Sequence, residues 1–117
     1  MKTIYTENYD QFKMIVEETD DQKYTLSIQF TQSTPLINAG EKLPLDEFIN
    51  KQDAFKASQQ FPKMYRVAEE EGFYFNGTEF KHPKVQGNFV HISIALDLDR
   101  SAENFRSYLR STINVQP

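Results

Sequence analysis

The chain has 117 residues, 38 % hydrophobic and 26 % charged, with 10 Phe, 6 Tyr and no Cys. That length suits one hydrophobic core, and the composition excludes a disordered tract, a fibrous repeat, a disulfide scaffold and any thiolate zinc site. The whole net charge of −4 falls before Gln59, where 10 acidic residues stand against 6 basic ones, while 7 of each follow; this balance argues against direct binding of duplex nucleic acid, which needs a clustered basic face.

The first eight residues hold no apolar run of signal-peptide length. The longest apolar-rich stretch, residues 89–98, is broken by His91, Ser93 and Asp97 and falls short of the ~20 residues of a membrane span. A cytoplasmic protein that does not engage membranes is the expectation, and the absence of cysteine fits a reducing compartment.

In chain order, residues 2–5 read as a short strand. Tyr9, Phe12, Ile15 and Val16 then recur at helical spacing, and Glu17, Glu18, Asp20 and Asp21 mark the exit of that helix into solvent. Tyr24, Leu26, Ile28 and Phe30 alternate with Thr25, Ser27, Gln29 and Thr31, the pattern of a strand with one face on the core. A loop from Ser33 to Leu43 carries the turn residues Pro35, Asn38 and Gly40. Phe48, Ile49, Gln52 and Phe55, led by Asp46 and Glu47, predict a helix over about 46–59, which Pro62 should interrupt. Met64, Val67 and Ala68 continue either as a second short helix ended by Gly72 or as extended chain.

Phe73-Tyr74-Phe75 and Thr78-Glu79-Phe80-Lys81 flank Asn76-Gly77, which predicts a hairpin closed by a type I′ turn. A second turn lies between Pro83 and Gly87. Val90, Ile92, Ile94, Leu96 and Leu98 alternate with Phe89, His91, Ser93, Ala95 and Asp97, which predicts a long strand. A helix over about 101–113 closes the chain, with Ser101 as N-cap, Phe105, Tyr108, Leu109, Thr112 and Ile113 as its buried stripe, and Arg106 and Arg110 on its exposed side. The expected architecture is α+β, a single domain over 1–117 built as a two-layer sandwich. Its largely antiparallel sheet has about four to five strands, with two main helices on one face.

Three constellations bear on chemistry. His82 and His91, with Glu79 nearby, would supply three metal ligands if the turn between them set the histidines face to face, although closed structural zinc sites hold four. Asp97 and Asp99, on one side of a strand, would stand about 6.5 to 7 Å apart, a spacing for two-carboxylate hydrolysis or a hard cation; capping of the last helix is the competing role. Phe73, Tyr74, Phe75 and Phe80 surround the Asn-Gly turn, and alternation sends Tyr74 to the face opposite Phe73 and Phe75. One hairpin face therefore needs cover, either from the segment 46–68 or from a protein partner or second copy.

The four glycines form no phosphate loop, no Ser lies in a nucleophile elbow, and Asn76-Gly77-Thr78 is a turn that happens to match a glycosylation sequon. No motif is specific enough to name a family. The leading expectation is therefore a non-enzymatic protein-binding or regulatory accessory domain without a cofactor or metal. It would act through a sheet face or through the aromatic hairpin of Phe73, Tyr74, Phe75 and Phe80, and a small, acidic, cysteine-free chain of this kind fits an accessory or inhibitor protein, including one of a bacterial mobile element. Two alternatives stand beside it: a small-molecule or metal-dependent enzyme using Asp97, Asp99 and the histidines, and an acidic inhibitor that mimics nucleic acid, which requires a regular stripe of carboxylates.

Overall fold

A computed structural model describes residues 1–85 and 87–113. Contacts cluster into two compact units, one ending at Ser58 and the other beginning at Gln59. The α+β class and the antiparallel pairing hold, with seven strands among the described residues divided between a sheet of four and a sheet of three.

The first unit is a meander. Strands β1 (Lys2–Asn8), β2 (Phe12–Glu18), β3 (Tyr24–Phe30) and β4 (Lys42–Phe48) pair antiparallel in sequence order. Phe12, Met14 and Val16 of β2 stand opposite Phe30, Ile28 and Leu26 of β3, and all six are buried. The predicted helix around Phe12, Ile15 and Val16 is thus strand β2. Its apolar residues lie on both sides, Met14 and Val16 on the core face and Ile15 on the other, and a strand covered on both faces can imitate helical spacing over so short a run. The acidic cluster read as a helix exit is the end of β2 and a turn. In that turn the N–H of Thr19 donates to Lys23 O at 2.8 Å and Gln22 takes a φ of 63°.

The segment 46–48 is likewise strand rather than helix, because it continues the ladder with β3 through Tyr24↔Phe48 and Thr25↔Glu47. Helix α1 (Lys51–Glu70) starts later, where the Asn50 side-chain carbonyl accepts from the N–H of Gln52 at 2.7 Å and caps the first turn. Its first turns bury Ala54 and Ala57 in the first unit, and Phe55 sets its ring 5.3 Å from that of Tyr5. The helix runs through Pro62. Proline costs one backbone hydrogen bond there, but Ala57, Ser58, Phe61, Met64, Val67 and Ala68 are all buried, and that burial holds the helix continuous.

In the second unit α1 ends in a Schellman exit. The Phe73 N–H donates to Ala68 O at 2.9 Å, the Gly72 N–H donates to Glu69 O at 3.0 Å, and Gly72 has a φ of 87°. Strands β5 (Tyr74–Phe75), β6 (Glu79–Lys81) and β7 (Phe89–His91) follow as an antiparallel sheet. The β5–β6 hairpin forms as expected, but with a different turn. Its central pair is Gly77–Thr78, only Gly77 takes positive φ, and Asn76 instead uses its side-chain carbonyl to accept from the N–H groups of Thr78 and Glu79.

The long strand expected over residues 89–98 stops at His91. The His91 Nδ1 accepts from the Ser93 N–H and caps a single helical turn, α2 (Ile92–Ala95). Ile92, Ala95 and Leu96 are buried at helical spacing, which overrides the alternation. Helix α3 (Ala102–Ile113) starts at Ser101, whose hydroxyl accepts from the Asn104 N–H at 3.0 Å, and buries Phe105 and Leu109. No helix among the described residues is long and apolar enough to cross a membrane.

Candidate interaction surface

The three-stranded sheet has one buried face and one open face. The register places Phe75 opposite Phe80 and Phe80 opposite Val90, and these three, with Phe73, point inward. Phe61 and Tyr65 of α1 and Phe105 of α3 surround Phe80 at ring distances of 6.1, 6.3 and 6.1 Å, and Phe75 lies 5.9 Å from Phe61. Phe61 and Tyr65, from residues 46–68, thus cover the face of Phe73, Phe75 and Phe80, and the face of Tyr74 is left open. Burial pushes the Tyr65 hydroxyl up to about 12, with Glu69 adding to the effect.

Of the four hairpin aromatics singled out from the sequence, Phe73, Phe75 and Phe80 are 7 %, 5 % and 1 % exposed, while Tyr74 is 43 % exposed. Tyr74 stands opposite Lys81, and Lys81 stands opposite Phe89, which is 52 % exposed. Tyr74, Lys81 and Phe89 therefore form one row across the three strands at a spacing of about 5 Å. Glu79 and His91, also opposite one another, form the next row. Phe89 was legible in the sequence through its alternation with Val90, but only the register shows that it shares a face with Tyr74.

The polar groups of this face differ in what they hold. The Glu79 Oε1 accepts from the Asn76 side-chain amide at 3.2 Å, and the His91 Nδ1 is engaged by the backbone and hydroxyl of Ser93. Lys81 has no ion-pair partner among the described residues. The remaining exposed large hydrophobics lie elsewhere. Tyr108 on α3 is stacked by the Arg100 guanidinium at 5.2 Å, whereas Met1, Leu36 and Ile49 sit on a terminus, a loop and a turn.

The other constellations take structural places. His91 faces Glu79, and His82 lies beyond the Lys81↔Phe89 pair, so the two histidines do not oppose each other. The His82 ring packs against Phe73 at 5.2 Å, and its Nδ1 accepts from the Lys84 N–H. No group of three or more His, Asp or Glu among the described residues is placed to hold a metal ion. Asp97 and Asp99 lie in a turn and not on a strand: the Asp97 Oδ1 accepts from the Asp99 N–H at 3.0 Å, and the Asp97 carbonyl accepts from the Gln60 amide at 2.6 Å. The exposed carboxylates of the first unit are scattered over its sheet, Asp10 and Glu41 at one end, Asp20, Asp21 and Glu47 at the other, and Asp46 within the β4 ladder opposite Leu26. Comparison with protein families, characterised proteins and solved structures finds no match.

Proposed function

We propose that the chain is a non-enzymatic accessory domain that binds another protein through the outer face of the β5–β7 sheet. The observation that carries this reading is the row Tyr74–Lys81–Phe89, two exposed aromatic side chains fixed on a sheet whose opposite face is filled. Aromatic residues are the side chains most enriched where protein surfaces meet, because a rigid ring buries a large area at low entropic cost. Of the four aromatics marked in the sequence, Tyr74 is the one placed to make contact, and Phe73, Phe75 and Phe80 hold the platform beneath it. Absence of cysteine favours a reducing compartment, so the cytoplasm is the proposed location.

The test is photocrosslinking in the native host, with a benzophenone side chain at position 89 or, as control, at position 25 on the polar face of the larger sheet. A discrete protein adduct at 89 and none at 25 is expected. Equal adducts at both positions, or none at 89, would sink the reading. Sedimentation equilibrium of the purified chain separates a foreign partner from a second copy.

A further inference from the structure

We infer that the partner offers this face a short segment in which a carboxylate lies between apolar side chains, with Lys81 as the residue that reads the carboxylate. The inference rests on the protein-binding reading above and gives the partner a chemistry. Five of the chain's 13 Lys and Arg hold a carboxylate among the described residues: Lys23 and Lys42 in the first unit, Arg100, Arg106 and Arg110 in the second. Lys81 is among those that hold none, and its place opposite both Tyr74 and Phe89, two exposed aromatic residues, sets it apart. Glu79, the nearest acid on the face, is drawn toward Asn76, and His91 is held by Ser93. The row itself carries one cation and no anion, and the Glu79 carboxylate stands in the next row beside His91.

An ammonium between two aromatic rings gains most from an anion when apolar groups of the ligand cover those rings and exclude water, since the attraction grows as the local dielectric falls. Apolar side chains on either side of the carboxylate reach Tyr74 and Phe89, which flank Lys81 at about 5 Å each. The size of the face selects the kind of partner. Three strands roughly 4.8 Å apart and two or three residues long present on the order of 100 to 150 Å², against the ~800 Å² per partner of a stable interface. A second copy docked here would lack the area. A segment of a few residues fits.

The experiment selects randomised 12-residue peptides, displayed on phage, against the full chain, against Lys81→Glu and against the Tyr74→Ser/Phe89→Ser double variant, each checked for native circular dichroism. A selected peptide is then synthesised and titrated by fluorescence anisotropy, with a 12-nucleotide oligo-dT as a second probe. Expected are peptides sharing an Asp or Glu within two residues of Phe, Tyr, Leu or Ile. Their affinity should fall at least tenfold in Lys81→Glu and stay within threefold in Lys81→Arg. Peptides without a carboxylate, indifferent to Lys81→Glu but lost in the double variant, would overturn the charge reading and leave protein binding standing. No enrichment on the native chain over the double variant would overturn both. Oligo-dT bound more tightly than any selected peptide would overturn the peptide chemistry in favour of single-stranded nucleic acid.

Discussion

The two sheets of this chain both turn one apolar face to a core, and they differ in what the other face carries. In the four-stranded sheet that face holds Thr3, Thr6, Lys13, Ile15, Thr25, Ser27 and Gln29, and the ion pair of Glu17 with Lys42 at 2.9 Å reaches diagonally across β3. Glu17 and Lys42 pair there, Lys13 has no ion-pair partner among the described residues, and Ile15, Glu17 and Ser27 are buried. In the three-stranded sheet the corresponding face holds Tyr74, Lys81 and Phe89, two rings and an uncommitted cation. Antiparallel sheets with one wet face need only polar side chains there. The larger sheet has its second face buried at Ile15, Glu17 and Ser27, whereas the smaller one leaves Tyr74 and Phe89 43 % and 52 % exposed, so the smaller one is where function is sought.

The largest expected effect tests whether the aromatics of the smaller sheet divide into platform and contact. Phe80→Ala removes a ring that is 1 % exposed and surrounded by four others, and should cost about 3 to 5 kcal/mol in chemical denaturation. Phe89→Ala, on the open face, should change stability by no more than about 0.5 kcal/mol. A comparable loss from both would erase the distinction between the two faces.

That distinction was only half legible in the sequence. The alternation of Leu26, Ile28 and Phe30 fixes β3 and its core face, and Ser101 marks the start of α3 by its capping chemistry alone. Strand β2 escaped because its apolar residues fill both faces. The end of β7 escaped because Val90, Ile92, Ile94 and Leu96 satisfy both a period of two and, in part, a helical turn, and the His91 cap decided between them. Pro62 misled for a different reason: its local cost is real, but six buried neighbours on the same helix outweigh it. The candidate surface needed pairing partners from three strands, which no local pattern contains.

A smaller effect compares two glycines, one from each unit. Gly40 and Gly72 have φ values of 85° and 87°, so alanine at either is strained by about 1 to 2 kcal/mol. Only at Gly72 would the added Cβ also meet a neighbour, the His82 Nε2 at 3.0 Å. Thermal unfolding should therefore rank Gly72→Ala below Gly40→Ala, and the Gly72 variant should also perturb the His82 ring resonances. The reverse ranking would mean that the Schellman exit of α1 tolerates rearrangement more readily than the loop of the first unit.

The smallest effect concerns how each unit settles a buried-side carboxylate. Glu17 holds one lysine, whereas Glu71, at the exit of α1, accepts from Arg110 Nε at 2.8 Å and from Arg106 Nη1 at 2.6 Å. Three consecutive acids, Glu69 to Glu71, oppose the dipole at this end of α1, and the two arginines of α3 offset them. The hydrogen bond from Arg110, followed by that from Arg106, holds the Glu71 carboxyl below its ordinary value near 4.5. A carboxylate with a lowered folded-state pKa contributes stability that is fully present above its unfolded value and is lost as pH falls through the folded one. Glu71→Gln keeps the shape and removes the charge, so its stability deficit relative to the native chain should be constant from pH 7 down to about 5.5 and shrink below about 4.5. Denaturation midpoints at a series of pH values give the difference directly. A deficit independent of pH would mean that the arginines recognise the shape of the carboxyl group and not its charge, and the pairing would then no more distinguish the second unit than the lone lysine on Glu17 distinguishes the first.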